Sequence, residues 1–181
     1  MDIKKKLIFI VLVIGHILHV NAQNIWQPYQ PANKSFEVLM PGEPKEQTQN
    51  ITTTSGVLTM HMYAYESPQA TAENLVYMAM YVDYPPEQVS SDYKDKVPEF
   101  FRNAVNGAVN NVKGTLLSEK DAEINGYPGK QIQIGYQNGA VIINMLQYLV
   151  GNRTYILQVI TPKEKQGNKS ITKFFESFKL L

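Results

Sequence analysis

The chain has no cysteine, one tryptophan and only three histidines. Without cysteine there is no disulfide framework, no thiolate metal site and no cysteine nucleophile. His16 and His19 fall in an apolar N-terminal run, which leaves His61 alone in the body of the chain. One histidine supplies neither a His pair for zinc nor a Ser-His-Asp set with a choice of base. Basic runs are also missing after Lys6, and residues 23–181 hold 14 Lys and Arg against 15 Asp and Glu. A near-neutral surface of this kind excludes a nucleic-acid partner and does not favour an anionic membrane.

What the N-terminus does contain is an export pattern. The basic segment MDIKKK precedes an apolar run from Leu7 to Val20, broken only by Gly15, His16 and His19. Val20-Asn21-Ala22 then offers small residues where a signal peptidase reads. The run is shorter than the roughly 20 residues that span a bilayer as a helix. Residues 1–22 are therefore expected to be a signal peptide cleaved near Ala22, with no stable membrane insertion of the mature chain. The product would be periplasmic or extracellular. Residues 23–181 have the length of one domain with a sizeable core. Four Asn-x-Ser/Thr sequons, at Asn33, Asn50, Asn152 and Asn168, matter only in a host that glycosylates them.

Alternation predicts strands over 35–40, 46–53, 57–66 and 75–84, the last with two apolar faces and so covered on both sides. A helix follows. Val97, Phe100, Phe101, Ala104, Val105, Ala108 and Val109 recur at helical spacing, with Ser90, Ser91 or Asp92 as candidate caps and Gly107 as a site of close packing. Strands over 115–124, 130–136, 141–150 and 153–161 are separated by Asn125-Gly126, Asn138-Gly139 and Gly151-Asn152, pairs that accept positive φ in tight hairpins. A last helix from Asn168 or Ser170 buries Ile171, Phe174, Phe175 and Phe178. The fold class is α+β: an antiparallel sheet of about six to eight strands with two main helices packed on it.

The segments FEVLMPGEP (36–44), YVDYP (81–85), NGYPGKQI (125–132), YLVGNRTYILQV (148–159) and FFESFKL (174–180), in this order, resemble small exported bacterial domains of the Mog1/PsbP-like superfamily. The resemblance covers nearly all of the mature chain. It implies an accessory or binding role, as in a photosystem II extrinsic subunit, a Ran-binding nuclear factor and bacterial envelope proteins. It carries no catalytic signature and no binding residue onto this chain.

Few residues suggest chemistry. Gly126-Tyr-Pro-Gly-Lys130 looks like a shortened phosphate loop, but Pro128 lacks an N–H, Gln131 replaces the magnesium-binding hydroxyl, and a strand follows where a helix is needed. It reads as a turn. Asp83, Glu87, Asp92 and Asp95 gather near the strand-to-helix junction without the spacing of a calcium loop, so no metal and no cofactor is expected. His61, Tyr63 and Tyr65 share a strand face opposite Met60, Met62 and Ala64. Pairing with 75–84 would add Tyr77 and Tyr81. These five form the candidate ligand-binding set, an aromatic surface with polar tips. The plainer alternative is a face that packs under a helix or loop, since aromatics favour strands. The expected function is an exported, non-catalytic accessory or protein-binding domain of the cell envelope, its partner an envelope protein. The alternative is a small-ligand binder using the tyrosine face.

Overall fold

The computed structural model describes residues 26–53, 55–69 and 71–181. The expected signal peptide, residues 1–22, lies outside the described residues. The strands are β1 (Gln27–Tyr29), β2 (Phe36–Met40), β3 (Lys45–Thr53), β4 (Gly56–Glu66), β5 (Val76–Asp83), β6 (Thr115–Ile124), β7 (Tyr127–Tyr136), β8 (Val141–Val150), β9 (Arg153–Pro162) and β10 (Lys179–Leu180). Two α-helices, α1 (Val97–Asn111) and α2 (Lys169–Glu176), complete the architecture. A seven-stranded antiparallel sheet runs β3-β4-β5-β9-β8-β7-β6, and a small second sheet runs β1-β2-β10. This is the expected α+β fold.

Turn chemistry explains the sheet order. Asn125 and Gly126 both take positive φ (51° and 83°) between β6 and β7, the geometry that matches the twist of a two-residue hairpin. Gln137, Asn138 and Gly139 do the same between β7 and β8, and Gly151 between β8 and β9. The meander β6–β9 thus folds back until β9 pairs with β5, Met80 opposite Ile156 and Tyr81 opposite Tyr155. Helix α1 makes the crossover from β5 to the far edge and lies across one face of the sheet.

The opposite face is sealed. Helix α2 buries Ile171, Phe174 and Phe175, and Phe178 follows directly after it. Eight residues are too few for an isolated helix. Asn168 fixes the start, its side chain accepting from the backbone N–H of Ser170 and Ile171, and burial of the apolar stripe supplies the rest at about 1.5–3 kcal/mol per large side chain. Phe36, Val38 and Met40 of β2 complete this layer, and all three are essentially inaccessible. Neither β1 nor β10 was legible as a strand, because segments of three and two residues show no alternation.

A chain of polar side chains crosses the same face. Ser118 donates to Gln133, Gln133 to Asn144, Asn144 to Thr161, and Thr161 to Asn74, which exchanges amide hydrogen bonds with Asn168. Asn74, Asn144 and Thr161 are buried, and their satisfied partners remove the cost of burying them. Among the sequons, Asn33, Asn152 and Asn168 each donate a side-chain hydrogen bond inside the fold, to Tyr81, to the Tyr84 carbonyl and to Asn74. Those amides serve the structure.

Two local expectations change. Ser90, Ser91 and Asp92 do not cap α1, whose N-cap is Lys96 with no side-chain cap bond. Ser91 instead is buried and pins the β8–β9 turn, exchanging hydrogen bonds with the Gly151 backbone. Gly107 is not a close contact, since a Cβ there would meet nothing within 4 Å. Packing does demand glycine elsewhere, as at Gly129, where a Cβ would stand 2.5 Å from both the Gln147 carbonyl oxygen and the Tyr148 ring. Gly129→Ala is expected to destabilise the protein by about 1–3 kcal/mol through this overpacking, with Gly126→Ala as the positive-φ control that lacks the clash. Equal denaturant midpoints for wild type and Gly129→Ala would refute the close approach.

Candidate functional site

The five residues expected to bind ligand are brought together, but as packing. His61 faces Tyr81 and Tyr65 faces Tyr77 across the β4–β5 pair, with Tyr63 between them on the same side. Tyr63, Tyr77 and Tyr81 are only 2%, 4% and 5% exposed. Phe36 and Tyr29 pack on Tyr63, Trp26 and Phe174 on Tyr77, and His61 stacks on Tyr81 at 4.5 Å. Tyr65 is half-buried over Gly42, where its ring leaves no room for a Cβ. Hydroxyl partners are internal too: Asn74 donates to Tyr77 at 2.7 Å and Asn33 to Tyr81 at 3.0 Å.

Arg153 and Asp83 belong to this layer. Arg153 donates to both carboxylate oxygens of Asp83, at 2.6 and 2.7 Å, and its guanidinium lies 4.3 Å from the centre of the Tyr81 ring. Hydrogen bonding to Asp83 raises the Arg153 pKa further above its ordinary value. The acidic group near the junction thus loses its first member to an ion pair. Lys130, from the glycine-rich turn, is likewise engaged, with Glu119 at 2.9 Å and Asp121 at 2.8 Å.

The sheet's other face carries an open groove. By alternation, Met60 and Met62 of β4, Met78 and Met80 of β5 and Met145 of β8 all point toward the α1 side, five of the chain's seven methionines. Helix α1 covers only the β7–β8 region, where Val105 packs on Ile132, Ile134, Ile143 and Met145. Between the helix and β3–β5 lies an open groove of about 970 Å³. Met60, Met80 and Ile156 form its apolar wall, while the helix contributes Ala104, Gly107 and Ala108. These small residues leave the space free. Phe100, edge-on to Tyr84 at 5.4 Å, also lines it.

Two polar atoms in this lining are unsatisfied. Gln147 Nε2 and Thr154 Oγ1 are shut off from solvent and have no hydrogen-bond partner among the described residues, although both side chains line the groove. Their residues are 2% and 3% exposed. They sit on neighbouring strands, Gln147 opposite Ile156 and Thr154 opposite Leu149. A buried group left unpaired costs about 1–3 kcal/mol, so these two positions are more expensive than the apolar residues that would fit there. The charged lining residues, Lys96 and Glu99, are exposed at the start of α1. A second cavity, about 580 Å³, lies between α1 and β6, with the Lys130 ion pairs in its wall. The methionine alternation was visible in the sequence. The orphaned pair was not, because it depends on where α1 stops covering the sheet.

Burial raises the pKa of Tyr63, Tyr77 and Tyr148 above the ordinary 10.0. A raised folded pKa means that the neutral form is favoured by folding. The associated stability is present below pH 10 and is lost as pH climbs from there through the folded values. Tm is therefore expected to hold below pH 10 and to fall above it, with tyrosinate absorbance appearing together with loss of near-UV circular dichroism. Titration of these tyrosines near pH 10 with the near-UV signal intact would mean that their face is open.

No protein-family model matches the chain, and no curated sequence matches it. Among solved structures, it is similar to the solution structure of cyanobacterial PsbP (CyanoP) from Synechocystis sp. PCC 6803, with a TM-score of 0.51 and 12% identity over 93% of this chain and 99% of that one. A Pseudomonas aeruginosa protein of unknown function shows a looser likeness, with a TM-score of 0.40 and 10% identity over 81% of this chain and 90% of that one. Element order, the helix-crossed antiparallel sheet and the near-complete overlap with CyanoP lead to one conclusion: this chain has a PsbP-like α+β fold.

Proposed function

We propose that the protein is an exported, non-catalytic binding domain, and that the methionine-lined groove between α1 and the sheet is its binding element. The observation that carries this reading is a concave groove of about 970 Å³ whose wall is mostly apolar, with polar side chains such as Gln88, Asn103 and Gln158 among it. Ligand sites are of this size and composition, mostly apolar with a few polar groups that fix orientation. Methionine suits such a wall, because its flexible, polarisable side chain adapts to the shape of a guest. The groove's inner lining offers amide and hydroxyl groups and no close pair of titratable side chains for acid–base work, which supports binding without turnover. The ligand-binding alternative thus moves to the face opposite the tyrosines. Export rests on the pattern of residues 1–22, and predicts that protein recovered from the envelope or medium has a mass matching a start at Gln23. Recovery of the intact chain from the cytosol would overturn that part.

Gly107 gives a direct test of the groove. Its Cβ position is open, and a helix-interior glycine costs about 0.5–1 kcal/mol relative to alanine. Gly107→Ala is expected to raise stability by about that amount, and Gly107→Leu to stay folded while projecting into the groove. N-phenyl-1-naphthylamine, an uncharged apolar fluorophore, should bind the wild type and bind Gly107→Leu about tenfold more weakly or worse, since one lost buried side-chain contact of ~1.4 kcal/mol corresponds to that factor. Equal binding to both, or none to the wild type, would place the site elsewhere or nowhere.

A further inference from the structure

We infer that the outer edge of β3 is a self-pairing surface whose partner is a second copy of this chain, joined strand to strand about a two-fold axis. This is independent of what the groove binds. The seven-stranded sheet ends in β3 and β6, and neither has a neighbour on its outer side among the described residues. Alternate residues of an edge strand turn their N–H and C=O outward, a ready template for another strand. The two edges handle this exposure differently. Strand β6 carries Glu119, Lys120, Asp121 and Glu123, and its pairing with β7 shifts register between Leu116 and Ser118. Charges and bulges are means of blocking an edge. Strand β3 instead keeps nine consecutive register pairs with β4 without a shift. From Gln47 to Thr53 it holds no charge, proline or glycine, and Lys45 through Asn50 are exposed.

Charge decides which partner fits. A copy pairing antiparallel in the same sheet sets residues opposite one another by reversal about the residue on the axis. With the axis at Gln49, Thr48 faces Asn50, Gln47 faces Ile51, Glu46 faces Thr52 and Lys45 faces Thr53 of the copy. Axes at Thr48 or Asn50 likewise set no charge against its like. The same operation on β6 fails. An axis at Glu119, Lys120 or Asp121 puts that charge against itself, and like charges directly opposite are destabilising. Residues 23–181, with 14 basic against 15 acidic side chains, add no strong repulsion between copies. A foreign segment is selected by pockets for its alternate side chains, and a row of exposed Gln, Thr and Asn selects little. The copy brings the same amides and hydroxyls, which pair across strands. Pairing at β3 uses up that edge in both copies and leaves the charged β6 edges outermost, so assembly closes at two. The axis is normal to the sheet, so both methionine faces lie on one side, and Ile51 of the groove wall sits beside the copy's strand.

Nine strand residues extend about 30 Å, and one added strand pair makes an interface at the small end of specific contacts. The dimer is therefore expected to be reversible, with a Kd in the micromolar range. Sedimentation velocity on the purified protein from about 1 to about 200 µM, which spans such a Kd, should show the mass rise from one chain to two. Both Thr48 and Asn50 are exposed, so charge is introduced there without entering the core. Thr48→Lys/Asn50→Lys places lysine against lysine for an axis at Thr48, Gln49 or Asn50, and Thr48→Glu/Asn50→Glu places glutamate against glutamate. Each variant should keep the wild-type far-UV circular dichroism and remain at single-chain mass throughout. An equimolar mixture of the two should regain the doubled mass, since lysine then faces glutamate. Lys120→Glu, on the opposite edge, should dimerise like the wild type. A wild type that keeps single-chain mass at the highest concentration overturns the inference. So does a doubly substituted variant that still dimerises alone, a mixture that does not recover, or loss of the dimer in Lys120→Glu.

Discussion

One geometric constraint organises this protein: a wide sheet with two apolar faces has unequal cover for them. Six inter-strand spacings of about 4.8 Å give the seven-stranded sheet a width near 29 Å, whereas one helix is about 10 Å across. On the tyrosine side, α2, the segment around Phe178 and the small β1-β2-β10 sheet share the work. The other side has α1 alone, laid over β7 and β8 by the crossover from β5 to β6. Everything on that face beyond the helix must be polar, covered by something else, or left as a groove. Here it stays apolar, and methionines occupy it.

The sealed face shows what full cover looks like. Its aromatics meet at ring distances of 4.5–6.5 Å in mostly edge-on or tilted pairs, the arrangements that ring quadrupoles favour. Its buried amides and hydroxyls are connected from Ser118 through to Asn168. Buried polar groups on that side are paired almost throughout. The contrast with Gln147 and Thr154 is therefore informative: the same sheet satisfies Asn144 on one face and leaves its near neighbour Gln147 unsatisfied on the other.

Much of the fold was legible from local physics. Asn125-Gly126 and Gly151 announced their hairpins because positive φ is a property of a few residue types and needs no distant contact. The spacing of Ile171, Phe174, Phe175 and Phe178 announced α2, and Asn168 its cap. The same reasoning misassigned the cap of α1. Ser90, Ser91 and Asp92 have cap chemistry, but Ser91 is drawn to the Gly151 turn, a contact sixty residues away in the chain. It offered the tyrosine face of β4 and β5 as a candidate binding surface beside a packed one, and Tyr63, Tyr77 and Tyr81 are buried. Alternation shows that tyrosines and methionines occupy opposite faces of β4 and β5, yet it cannot show which face the termini will cover.

The sequence by itself determined the eight longer strands, the tight turns, both helices and the division of β4 and β5 into an aromatic and a methionine face. These follow from backbone preference and from side-chain alternation, which act over a few residues. Only the tertiary structure decided that β9 pairs with β5, that residues 36–40 and 174–180 close over the tyrosines, and that α1 stops short of the methionines. Burial depends on which surfaces meet, and those surfaces come from segments far apart in the chain. The groove exists only because that assembly leaves one apolar surface partly uncovered.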